Sequence, residues 1–373
     1  MFAQARIKNV SSSKFGSKKL KIFSKLIGLI ILKAILVTLF ILVGLDSLAE
    51  LIDESKMIKN NYGIINVTQY VLTKIPSSIS EYFPFAVLIG CLFGVGQLAS
   101  SNEILVIRAT GVSKVKIFSI VSMPIFFLLA LVLVADEYLN PYLDQKAEGT
   151  REFLRQGSSF QTSVDGLWIN NDDQFINVNA VFPGGILYGV SRYKFNSDRK
   201  IMSASYASRA TYNQKRKTWT EENVSLTNLD ASYTTTEKYV TRNWETDLTP
   251  ELLTVNFLPP ESLGIKTLQN HINFLEQQKI NAELFRLVLF QKFLNPFLVL
   301  ALTLVAVGTA IGPLRDSTMG YRIFLGVTGG VLLKLFQDLS SSYMLVYDLP
   351  VNYGVVLPII FCVVLGVLLI RTR

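Results

Sequence analysis

Histidine and cysteine are almost missing from this chain: 373 residues carry one of the first and two of the second. His271 alone cannot assemble a metal site, which takes several His, Cys or carboxylate ligands at set spacings. No GxxxxGK[ST] loop occurs, so the chain does not cradle nucleotide phosphates in the usual way. No GxSxG elbow presents a serine nucleophile. Nothing in the sequence argues for an enzyme, and no cofactor is expected in this chain. Cys91 and Cys362 both fall in apolar runs, and residues 137–288 contain none. That block must be held by its own core and not by disulfides. Charge is scarce as well: 17% of residues are charged and 50% hydrophobic, with mean hydropathy +0.37. Soluble domains carry about a quarter charged residues.

What replaces the missing charge is a set of long apolar runs. Six approach or exceed the length that crosses about 30 Å of hydrocarbon as a helix. They lie at about 24–46, 82–100, 117–136, 290–312, 321–340 and 352–370. The first is too long for the apolar core of a signal peptide. The fifth is the weakest, with Lys334, Gln337 and Asp338 near its end. Lys and Arg mark the cytosolic side. Residues 1–26 hold seven basic residues and no acid; with 100–116, the turn after the fourth run and the C-terminal tail, the count is fourteen basic against two acidic. Both termini are therefore expected in the cytosol and 137–288 outside it. The net charge of +8 is explained by topology and is no nucleic-acid signature.

Within 137–288 the texture changes. Residues 137–156 are polar and read as an extension of the third helix beyond the membrane. From about 160 to 257 short strands alternate with turn residues: "LWI-NNDD-QFINVNAV" and "GILYGVSRYKF-NSDRK-IMSASYASRATY" are hairpins, and "TWTEENVSLTNL" is a further strand. The turn spacing points to a sandwich or jelly roll, with Val178, Val190 and Tyr193 as walls. Residues 266–285 return to a helical period, with Leu268, Ile272, Leu275 and Ile280 as the apolar stripe. The expected fold class is a membrane α-helical bundle of six transmembrane helices with an inserted all-β, jelly-roll-like domain. The expected blocks are 1–136, 137–288 and 289–373.

One stretch between spans is neither membrane nor domain: "SSNEILVIRATGVSKVK", residues 100–116. Ser100 and Glu103 fit a capping box and Gly111 fits a helix stop. Between them about ten residues form a helix roughly 15 Å long. Ile104, Leu105, Ile107 and Ala109 make it amphipathic. It is either a capped turn resting on lipid or a rigid ridge that docks a soluble partner.

The segment "YFPFAVLIGCLFGVGQLASSNEILVIRATGVS" resembles the second span and coupling helix of the LptF/LptG (YjgP/YjgQ) lipopolysaccharide-export permeases. "GLWINNDDQFINV" and "RNWETDLTPELL" resemble strand segments of that family's periplasmic domain, and "IGPLRDSTMGYRIFLGVTGG" and "LVYDLP" its fourth-to-sixth-span region. The similarity runs from about residue 24 to the C-terminus. The GPLR…MGxR and TDLTP patterns lean toward the LptG branch. The resemblance implies an ABC-transporter permease subunit of the bacterial inner membrane. It pairs with an LptF-like permease on an LptB-like ATPase dimer that binds the ATP, extracts lipopolysaccharide, and passes it to an LptC-like protein through a periplasmic β-domain. Glu103, Arg108 and Gly111 map onto the coupling helix.

A phosphorylated lipid needs cations near the outer boundary and apolar faces for its chains. The candidate cations are Lys56, Lys59, Lys74 and Arg151, the last matching a basic family position after the third span. Where relatives carry a lysine near the outer end of the first span, this chain has Glu50. Lys33, mid-way along the first span, faces either a cavity or, by snorkelling, the cytosol. In the family the first and fifth spans line the lateral gate, which nominates Phe40, Phe324 and Leu332, with Ile30 and Ile35. Solvated charge and ordinary lipid-facing packing account for the same residues. The competing functional reading is a membrane-anchored assembly or sensor protein whose β-domain binds a partner and transports nothing.

Overall fold

The computed structural model describes residues 12–58, 61–109, 111–156, 167–171, 174–196, 200–229, 233–277, 281–311, 317–347 and 349–371. Six helices are long and apolar enough to cross a membrane. They belong to α1 (Ser12–Ser55), α2 (Ile64–Ser100), α4 (Lys114–Val134) running on into α5 (Asn140–Gln156), α8 (Glu283–Ile311), α9 (Met319–Val346) and α10 (Val351–Arg371). The short α3 (Glu103–Ala109) sits between the second and third. A single π-turn, Ala135–Leu139, joins α4 to α5, so the third helix does continue past its apolar part. The chain divides into two compact units: residues up to Leu42, Tyr82–Val132 and Phe293 onward form one, and Val43–Glu81 with Leu133–Lys292 the other. The block 137–288 thus belongs with the C-terminal end of α1 and the N-terminal part of α2, which no sequence signal assigned to it.

In the first unit helices meet at glycine. A Cβ on Gly90 would lie 2.8 Å from the backbone Cα of Ile35, and one on Gly94 2.9 Å from the Ile31 side chain. This closeness seals α1 on α2. Ile35 is fully buried there, against α2. Gly326 and Gly330 on α9 face Leu92 and Phe85 on α2, while Gly329 faces open space. Pro296 lies inside α8, well past its first turn.

In the second unit, six antiparallel strands run in sequential order: β1 (Leu167–Asn171), β2 (Gln174–Phe182), β3 (Ile186–Phe195), β4 (Ile201–Asn213), β5 (Thr218–Leu229) and β6 (Thr234–Trp244). The expected hairpins are β1–β2 and β3–β4. The jelly-roll-like domain takes the form of one meander; its described strands make no Greek-key crossover.

The sheet nevertheless encloses its own core, by a break in alternation. Val178 and Val181, Leu187 and Val190, Ala207 and Ala210, and Trp219 and Val224 all enter one cluster. Residues an odd number apart face opposite sides of a regular strand. The phase must flip between them, and it flips along one column. Pairing skips Asn179, Gly189, Ser208, Asn223 and Val240 in turn. Gly189 (φ 63°) and Asn223 (φ 52°) adopt the left-handed backbone there. Gly and Asn tolerate that region best. The sheet bends along this column and both halves cover the same core. Tyr193 falls on the outer side and stacks on Trp168 at 6.2 Å, so of the three expected wall residues only Val178 and Val190 line the interior.

Residues 250–257, read from the sequence as strand, are a helix, α6 (Pro250–Phe257). The Thr249 side chain accepts from Leu252 N–H and Pro250 opens the first turn. That Thr-Pro pair is a helix-start signal. Leu253 of α6 is fully buried in the sheet's core, and Trp219 Nε1–H donates to Leu248 O at 2.8 Å. Next comes α7 (Ile265–Gln277). Leu268, Ile272 and Leu275 are buried, and Ile280 lies outside the described residues. The Glu137 carboxylate accepts the N–H groups of Ile265 (2.7 Å) and Lys266 (3.2 Å), closing the start of α7.

Candidate functional site: a charged ridge and a network of ion pairs

The first site is α3. It is shorter than the ten residues expected, and Ser100 is not its cap. Ser100 is the last residue of α2, and its hydroxyl donates back to Gln97 O at 2.9 Å. Ser101 donates to the Glu103 carboxylate at 3.1 Å, and Asn102 in the left-handed region (φ 61°) makes the corner. Gly111 ends the segment as expected: its φ is 90° and its N–H donates to Arg108 O at 2.9 Å. Ile104 and Ile107 are buried, and Glu103, Leu105, Val106 and Arg108 are exposed. The segment is thus anchored by two isoleucines and presents an acid, a base and two apolar side chains.

Sequence reasoning missed a neighbour of this ridge. Arg322, near the start of α9, is 1% exposed. A Cβ on Gly96 would come within 2.7 Å of its guanidinium. Gly96 therefore makes the room in which a charged side chain packs on α2, one turn before the corner into α3. The signals available were the arginine of the MGxR pattern, which is Arg322, and a glycine in an apolar run, which reads as ordinary close packing.

The second site lies in the other unit. Asp46, Glu50 and Glu54 recur every four residues on α1, and Asp144, Glu148 and Glu152 do the same on α5. Such spacing puts each trio on one helix face. The segment from Tyr62 into α2 supplies donors to both. Ser78 Oγ donates to Asp46 (2.8 Å), Ser77 Oγ to Asp144 (2.7 Å), Tyr70 OH to Glu148 (2.7 Å), and Tyr62 OH to Glu54 (3.5 Å). Burial, with Glu54 beside it, raises the Tyr62 phenol well above its usual range, so it stays a donor. Lys74 Nζ lies 3.4 Å from Glu148 and 3.7 Å from Glu50. Arg151 bridges Glu54 (2.7 Å), Glu148 (3.1 Å) and Glu152 (3.8 Å), and stacks over Tyr70 at 5.4 Å. Arg155 adds a pair to Glu152 at 3.2 Å.

Of the expected cations, then, the fold brings Lys74 and Arg151 together and ties both to carboxylates. Lys56 stands apart, paired with Asp53 at 2.8 Å with its side chain 68% exposed. Lys59 lies outside the described residues. Lys33 sits on the exposed face of α1, with Phe40 (80% exposed) on the same helix. Phe324 and Leu332 are exposed on α9, and Lys334 pairs with Asp338 at 3.7 Å. Apart from Glu50, the carboxylates of the network went unremarked in the sequence reading; their four-residue spacing was the signal.

A family model described as "Lipopolysaccharide export system permease LptF/LptG" matches residues 26–372. The chain is 29% identical over 344 residues to the lipopolysaccharide export system permease protein LptG of Escherichia coli K12, covering 90% of this chain and 94% of that protein. It is likewise 29% identical over 349 residues to the LptG protein of Haemophilus influenzae, covering 93% and 98%. With six apolar helices, an inserted β-domain and a match spanning nearly its whole length, the chain belongs to the LptF/LptG family of lipopolysaccharide export permeases.

Proposed function

We propose that this chain is the LptG-type permease subunit of an ABC-type exporter, moving lipopolysaccharide out of the inner membrane while a separate cytosolic ATPase supplies the energy. The observation that carries this reading is the family match from residue 26 to 372, which includes the β-domain as well as all six spans. The exposed Glu103, Leu105, Val106 and Arg108 of α3 meet the ATPase, and the buried Ile104 and Ile107 make the ridge rigid enough to pass a push into α2 and α4. An LptF-like permease covers the exposed apolar faces of α1 and α9 that carry Phe40, Phe324 and Leu332. Both termini are cytosolic, and the β-domain faces the periplasm, where it meets an LptC-like partner. The chain itself binds no nucleotide.

Copurification tests the reading. The native complex should bring down a nucleotide-binding ATPase, and Glu103→Lys should release it while leaving the permease folded in the membrane. An intact complex after that reversal would remove α3 from the interface. Copurification of no ATPase at all would favour the assembly or sensor alternative.

A further inference from the structure

The network around Arg151 is cation-poor. Four carboxylates (Glu50, Glu54, Glu148, Glu152) share three cations (Lys74, Arg151, Arg155), and two more, Asp46 and Asp144, stand on the same helix faces with serine hydroxyls as donors. A pocket built only to capture an anion would leave its guanidinium open toward solvent. Here the Arg151 side chain is 21% exposed and already meets three carboxylates, one at 2.7 Å through Nη2 and again at 3.1 Å through Nε. Two donors on one carboxylate is the geometry by which arginine grips a phosphate. Glu54 therefore occupies the kind of seat that a phosphate oxygen pair would take. Glu148 does the same for Lys74, sharing it with Glu50 and held in place by Tyr70.

We propose that Glu54 and Glu148 are resident counter-anions of the Arg151–Lys74 pair, holding the places that the phosphate of a phosphorylated lipid headgroup takes when it binds. This rests on the lipid-export reading and adds its release step. A phosphate enters by displacing the carboxylates from the cations, and the carboxylates displace it in turn when the substrate leaves. Two features favour such an exchange over a permanent structural tie. Both carboxylates have a second hydrogen-bond donor, Tyr62 for Glu54 and Tyr70 for Glu148, so neither is stranded when its cation turns away. Lys74 and Arg151 also keep about a fifth to a quarter of their side-chain surface open, and a headgroup can reach them.

The test is a titration of the complete copurified complex in nanodiscs with fluorescent lipopolysaccharide and with the same preparation treated with phosphatase. Glu54→Gln keeps the shape and removes the competing charge. It should raise affinity for the phosphorylated lipid by about tenfold, the scale of one charge-assisted contact, and leave the dephosphorylated lipid unchanged. Glu148→Gln should act in the same direction, and it decides the matter if Glu54→Gln fails to fold. Arg151→Gln should lower affinity for the phosphorylated lipid alone. Excess inorganic phosphate should not displace the lipid, whose chains anchor it; ready displacement would assign the site to free phosphate and overturn the lipid form. If Arg151→Gln abolishes discrimination while neither glutamine variant tightens binding, the exchange is wrong and the export reading stands. If the native complex binds neither lipid, the export reading falls and takes the exchange with it.

Discussion

The two units of the chain differ in what surrounds their buried cations. In the unit built from apolar helices, Arg322 is seated against Gly96, where a Cβ would collide with its guanidinium. In the unit that holds the β-domain, charge is matched with charge: Arg151 and Lys74 against glutamates, and Arg192 against Glu221 at 2.8 Å inside the folded sheet. Helix-on-helix packing is a matter of distance, and glycine supplies it. A sheet core and helix ends offer polar partners but not always enough of them. Glu221 is 1% exposed, and one of its oxygens has no hydrogen-bond partner, nor does Arg192 Nε. Burial lowers the Arg192 guanidinium and raises the Glu221 carboxyl from their usual ranges, and their mutual attraction does not restore either. Desolvation is the larger cause for each group, and the Arg192 guanidinium also lies over the Trp244 ring at 4.9 Å.

The largest effect that would break this contrast lies in that pair. Glu221→Leu strands a buried guanidinium and should cost about 3–5 kcal/mol, whereas Glu221→Leu combined with Arg192→Met should be neutral or stabilising. Denaturant unfolding followed by the fluorescence of Trp219 and Trp244 reads both, since each ring lies in the same core. A double variant as unstable as the single would mean that the ion pair does stabilise the sheet. Next in size is the distance rule in the helical unit. Gly90→Ala puts a methyl 2.8 Å from the Ile35 backbone and should cost about 1–3 kcal/mol. Gly329→Ala meets nothing within 4 Å and should be neutral or slightly stabilising through helix propensity. Thermal midpoints in detergent compare the two; equal shifts would show that helix spacing is not set at Gly90.

The smallest effect is a pH dependence that belongs to the β-containing unit alone. His271 is buried beside Phe285, ring centroids 4.5 Å apart, and burial lowers its pKa below 6.5. The unfolded chain then binds the proton more readily than the folded one. His271 should add nothing to the pH dependence above 6.5, and stability should fall as pH drops from 6.5 toward the folded value. His271→Phe should flatten that slope. An unchanged slope in the variant would place the titration elsewhere.

Much of the architecture was legible along the chain. The six apolar runs, the hairpins around "NNDD" and "NSDRK", and the stop at Gly111 follow from local rules: apolar length, period-two patterning, and the left-handed backbone that glycine tolerates. Misreadings arose where two local signals competed. Ser100 fits a cap by pattern, yet α2 runs on through it and the corner falls at Asn102. The "TPELL" segment resembled strand, yet Thr249 and Pro250 begin α6 because Leu253 has a core to enter.

Composition and patterning alone were enough to specify a six-span membrane chain with an inserted β-domain and a short charged ridge, because apolar length and alternation are properties of consecutive residues. The pairing of Arg151 with Glu54 joins positions 97 apart in the chain, and the bend of the sheet depends on one column crossing five strands. Local spacing supplies the groups but does not say which distant segment they meet. Whether a cation is open to a ligand or already matched by a carboxylate is settled by what folds against it, and folding alone brings those groups within reach.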